Sequence, residues 1–129
     1  MTQFAIDEER REHLCRHLLR PLNDGFVAAA EAYADYLQNG KSFRAACALR
    51  RINGTARELL AEHAQLLPPL LQEHAAALMH HYDVWSALWD ELAEASKPAP
   101  EDAVVFENTV RFPKESQQAF RDACQRLCC

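Results

Sequence analysis

Apolar residues recur at three- and four-residue spacing along most of this chain, the period of helices with one buried side. Asp7 is placed to cap a first helix, with Glu8 and Glu9 suited to its positive end. That helix should run to about Arg20 and stop before Pro21, with Leu14 and Leu18 on its core side and Cys15 beside them. Asn23 or Asp24 then opens a second helix, whose Phe26, Ala30, Tyr33 and Leu37 form one stripe and read as core. Asn39-Gly40 supplies its left-handed stop. Ser42 caps a third helix carrying Ala45, Leu49, Ile52, Ala56, Leu59, Leu60, Leu66 and Leu67 in one phase, with His63 mid-stripe. The phase passes unbroken through Asn53-Gly54, which predicts one long helix there.

Gln65-Leu66-Leu67-Pro68-Pro69-Leu70-Leu71-Gln72 reads the same in both directions. Two prolines make a poor helix interior and a good junction, since Pro69 fits the first turn of a new helix. The pattern predicts an antiparallel helical hairpin turning at Pro68-Pro69, with His63 and His74 level across it. The second arm should run to about Glu94, with Leu70, Leu71, Leu78, Trp85, Leu88, Trp89 and Leu92 inward. His74 and His81 share that arc, while His80 falls outside it. Residues 95–102, with Lys97-Pro98-Ala99-Pro100, read as a loop. From 104 to 112, Val104, Phe106, Val110 and Phe112 share one parity, broken by Asn108, which is the period of an extended segment. Such a lone segment would drape over the helices, pair with its own copy, or add to a partner's sheet. Pro113 opens a last helix with Phe120, Cys124 and Leu127 inward. The expected architecture is all-α, a four- to five-helix antiparallel bundle in a single domain over 1–129.

Composition agrees: with only three glycines among 129 residues, helix is favoured over sheet. A net charge of −5 argues against nucleic acid or an anionic membrane as partner. No run of residues is apolar enough to span a bilayer. The five cysteines are odd in number and crowded at one end, which reads as reduced thiols in a cytoplasmic protein. Charge is split along the chain, basic from Lys41 to Arg57 and acidic from Asp83 to Glu107. The two stretches read as solvated faces, with steering of a partner or mutual attraction within the fold as the alternatives.

Candidate chemistry centres on histidine. His63, His74 and His81 lie on the apolar stripes of neighbouring helices, where a transition metal or haem would satisfy buried imidazoles. A third ligand beside His63 and His74 would come from His13, His17, Cys15 or a carboxylate. Leu60 and Leu71 stand three residues before His63 and His74, so the Glu-x-x-His pairs of di-metal bundles are missing. His13 and His17 are four apart, a half-site for zinc or copper, but Arg10, Arg11, Arg16 and Arg20 surround them. They read as surface residues.

Arg57 and His63, with five residues between them, resemble the Arg-His spacing of HEPN-type ribonucleases, which are helical and of similar size. The resemblance implies RNA hydrolysis by that pair; Arg11 and His17 repeat the spacing. The terminal Cys128-Cys129 resembles the prenylated ending of some small GTPases, yet no phosphate-binding glycine loop accompanies it. Gly-x-Ser-x-Gly and Cys-x-x-Cys are also missing.

The leading expectation is a soluble protein-interaction or regulatory module without a cofactor, binding a protein partner or itself through Val104, Phe106, Val110 and Phe112. A metal- or haem-binding bundle using His63, His74 and His81 comes second, and a HEPN-like ribonuclease third.

Overall fold

The first helix does not stop at Pro21. In the computed structural model, which describes residues 7–105, 108 and 110–129, α1 (Glu8–Leu14) passes through a π-helical turn (Cys15–Leu19) into α2 (Arg20–Gln38) without a break. Asp7 caps α1 as expected, accepting from the Arg10 amide at 2.7 Å. The Arg20 amide reaches back five residues to the Cys15 carbonyl, a wider turn than the α form. Pro21 lacks an amide and its ring clashes with the carbonyl four residues back, so widening the turn just upstream lets the rod continue. The same widening serves the core. Leu14, Leu18, Leu22 and Phe26 are all buried, yet four-residue steps on a pure α-helix drift by about 40° each. One π turn cancels much of that drift. Asn23, expected to cap a new helix, instead donates to the carbonyls of Leu19 at 2.8 Å and Phe120 at 3.2 Å.

At the far end of α2 the Asn39-Gly40 stop forms as expected. Gly40 takes φ 72°, and the Lys41 amide bonds the Tyr36 carbonyl at 2.8 Å, closing a Schellman motif. Ser42 then caps α3 (Phe43–His63), accepting from the Ala45 amide, and α3 runs unbroken through Asn53-Gly54. A short 3₁₀ turn (Ala64–Leu66) leads to Pro68, and α4 (Pro69–Ser96) begins on the second proline.

The chain reverses at the proline pair. Arg57 holds Asp83 through two bonds of 2.9 and 3.3 Å, and Arg50 reaches Asp90 at 3.4 Å. Seven residues back along α3 match seven forward along α4, so the arms are antiparallel. This register sets position 63 opposite 77 rather than 74, because the 3₁₀ turn displaces the midpoint of the hairpin. His63 and His74 are therefore not level. The split of charge also finds its use here: with Arg44–Glu101 at 2.8 Å, the basic and acidic stretches pair with each other. Exposed pairs of this kind add little stability; they fix alignment.

Residues 99–105 are more than a linker. The carbonyls of Pro100 and Asp102 accept the Arg44 and Phe43 amides at 3.0 and 2.8 Å, covering free donors at the start of α3, and the Val104 amide bonds Lys41 at 2.9 Å. Among the described residues the only β pairing is the single bridge between Ser42 and Ala103. The described residues of the 104–112 segment lie over the helices. Phe106 lies outside the described residues. Val104 is buried, its carbonyl accepting the Tyr36 hydroxyl. Asn108, the break in the alternation, is what pins the segment. Its Oδ1 accepts the Val110 amide at 2.9 Å and its Nδ2 donates to the His81 carbonyl at 3.4 Å.

The helix α5 (Lys114–Cys128) closes the molecule. Its Phe120 and Ala123 join Leu14, Leu18, Leu22, Leu60, Leu71 and Leu78 in the main core, at the proline end of the hairpin. Packing α5 against the first rod brings Cys15 and Cys128, 113 residues apart, to a Cα separation of 5.6 Å, where they form a disulfide. The reading of all five cysteines as reduced thiols is thus corrected; Cys47, Cys124 and Cys129 are free. Linear spacing could not show that the two ends of the chain meet. The reduced-thiol reading had only agreed with the cytoplasmic expectation, and that agreement is lost. Among the described residues no helix is long and apolar enough to cross a membrane.

Candidate binding cleft

α5 is too short to cover what it packs on. Its 15 residues span about 22 Å, against about 42 Å for the 28 residues of α4. One end of the hairpin is sealed by Phe120 and its neighbours. At the other end α2, α3 and α4 enclose a cleft of about 530 Å³, bordered by Val105 and Phe112 from the draped segment. Phe26, Tyr33, Tyr36, Tyr82, Trp85 and Phe112 give it an aromatic wall, with Ala30, Leu37, Ala46 and Leu49 between them. Its volume falls within the range of ordinary ligand sites.

This cleft absorbs the stripe on α2 that reads as core. Phe26 is buried, but Ala30 is exposed, and Tyr33 and Leu37 keep 52% and 48% of their surface exposed. The periodicity was sound; the missing cover was not visible in it. Comparing the lengths of the last helix and the hairpin arms is the signal that could have found it. The two tryptophans also serve differently from plain core. Trp85 borders the cleft and is half-buried. Trp89 stacks on Phe43 with centroids 5.4 Å apart, and the Arg50 guanidinium lies 5.9 Å from its ring.

Few polar groups face the cleft. The Tyr82 phenol is pushed up to about 12 by burial and stays protonated. Burial also raises the Tyr36 phenol, whose hydroxyl is committed to the Val104 carbonyl. Lys41 and Asn53 stand among the lining residues. His81 donates from Nδ1 to the Val110 carbonyl at 3.1 Å and meets Phe112 edge-on at 5.1 Å, which leaves Nε2 as the ring's acceptor in the neutral tautomer.

Burial lowers the pKa of His81 from 6.5, and the bonds to the backbone of Val110 and Arg111 offset this in part. The folded ring then holds a proton more weakly than the unfolded one, so acidification favours the unfolded chain. The contribution of His81 is complete above its ordinary pKa and is lost as pH falls below it. Denaturant midpoints measured at pH 7.5 and about 5.5 are expected to fall further in the parent than in His81→Asn.

The histidines expected to share an ion have separate partners. His63 packs on His13 and His17, with ring centroids 5.4 and 6.1 Å away. His74 meets the Ser116 hydroxyl at 2.9 Å, tying α4 to the start of α5, and His81 holds the draped segment. Among the described residues no group of three His, Cys, Asp or Glu side chains is placed to hold a metal ion. Arg57 and His63 are likewise parted, Arg57 facing Asp83 on α4 and His63 facing the first rod. Of the expected partner-binding residues that are described, Val104 is buried, Val110 is half-buried and its carbonyl holds His81, and Phe112 lines the cleft. Val105, of the opposite parity, is 64% exposed at the rim.

These features define an all-helical chain with an aromatic cleft. No family model matches it, and neither a curated protein nor a solved structure does.

Proposed function

We propose that this chain, as a single four- to five-helix antiparallel bundle, is a protein-interaction module whose cleft receives the apolar face of a helix from a partner protein. The observation that carries the reading is the open edge of the cleft. Tyr33, Leu37 and Val105, three large side chains each about half exposed or more, line the same cavity. Apolar surface gathered in this way marks interaction sites far more often than scattered single residues do. A groove walled by aromatics suits helix-in-groove recognition, in which side chains one and two turns apart are buried together. The lining is adapted to holding a shape, with its polar groups mostly committed to the protein's own backbone.

A photo-reactive side chain at position 37, introduced in the cells from which the protein comes, is expected to capture one protein as a discrete adduct. The same group at exposed Glu58 on α3 should not. The adduct should disappear in Tyr33→Asp, an exposed position whose change spares the core. An adduct of twice the chain's mass would identify a second copy as the partner. Equal labelling at 37 and 58, or labelling that survives Tyr33→Asp, would refute the proposal.

A further inference from the structure

Away from the cleft, three of the six histidines meet in one place. The rings of His13 and His17 lie 4.6 Å apart between centroids, and that of His63, arriving on α3, lies 5.4 Å from the first and 6.1 Å from the second. From this juxtaposition we infer that His13, His17 and His63 form a three-histidine site for a divalent transition metal.

The spacing decides in its favour. Imidazole nitrogens sit about 2.0–2.1 Å from a bound zinc, which in a tetrahedral site places the ring centroids roughly 5 Å from one another. The three observed separations bracket that value. What the packed conformation lacks is aim, since His17 and His63 are stacked at 23° and the nitrogens do not converge. His13 and His17 are exposed, and among the described residues neither makes a side-chain hydrogen bond that an ion would have to displace. Closing the site on the more enclosed His63, whose side chain is 17% exposed, requires those two rings to turn about their side-chain bonds.

Three further features point the same way. His63 is the last residue of α3, at the negative end of the helix dipole, where a cation is favoured. The Glu62 carboxylate lies 3.6 Å from His63 Nε2 and offers an oxygen as fourth ligand or a hydrogen-bond partner. The π turn that carries His17 sits between α1 and α2, and π turns recur where a helix serves a site. The arginines nearby weigh less than their number suggests. Arg11 is held by Glu8 and donates to the Leu127 carbonyl, and Arg20 donates to that of Cys128. Both are turned toward α5, whereas the histidines face α3.

Cobalt(II) titrated into the metal-free, disulfide-intact full chain tests this by the visible ligand-field absorption of a low-coordinate site. Saturation at one ion per chain is expected. His13→Gln, His17→Gln and His63→Gln should each weaken binding by about tenfold or more, while His80→Gln leaves it unchanged. His13 and His17 are exposed, so their variants keep the proposal testable should His63→Gln disturb packing. Copper(II) should compete most strongly. Binding that survives loss of His63, that depends on His80, or that shows the near-ultraviolet charge-transfer band of thiolate ligands would overturn the site, as would no saturable binding.

Discussion

Phe120→Ala is expected to cost about 3–5 kcal/mol, the range for removing a large aromatic ring from a closed core. Among the described residues Phe120 is the largest side chain with no exposed surface, and it sits where α5 meets both the first rod and the hairpin. Helices packed on three sides of it cannot collapse into the space without giving up their other contacts, so the cavity term adds to the lost transfer energy. Urea denaturation of the parent and the variant reads the difference directly. A loss below about 1 kcal/mol would mean that α5 is not seated as described.

Reduction of the Cys15–Cys128 bond should be felt nearly as strongly. The link closes 113 residues of chain, almost its whole length, and so removes much of the freedom of the unfolded state. About 2–4 kcal/mol is expected. Denaturation with and without a reductant measures it, and Cys15→Ser should start at the lower stability and respond to no reductant. Exchange with Cys124 is discouraged. Cys124, one turn before Cys128, has its thiol pushed up by burial and by the nearby Cys129, which leaves little thiolate for attack. Loss of the bond is expected to loosen α5 first, because Arg11 and Arg20 bond the carbonyls of its last turn.

The helical character, the caps at Asp7 and Ser42, the Schellman stop and the reversal at Pro68-Pro69 could all be read from residue types, since each depends on a few neighbours in sequence. The failures lie where distant parts decide. Pro21 reads as a break because a regular helix cannot hold it, and a π turn is set by the wish of Leu14, Leu18, Leu22 and Phe26 to face one core. Tyr33 and Leu37 read as buried because periodicity reports a face but not whether anything covers it. His13 and His17 read as surface and are exposed, but their meeting with His63 was hidden because it is far off in the chain. Asn108 looks like a flaw in an alternating pattern, yet its amide mimics backbone and holds the segment to α4. The candidate cleft was thus legible as a set of residues and illegible as a space.

The broad turn at Cys15–Leu19 also acts as a vernier. Four residues at ordinary winding turn a helix about as far as these five do, so losing one of them would leave the parts on either side facing nearly the same way. What would return is the clash of the Pro21 ring with the carbonyl four residues before it. A shortened turn is therefore expected where position 21 is no longer proline, and an evolutionary record of this chain should show the two changes together.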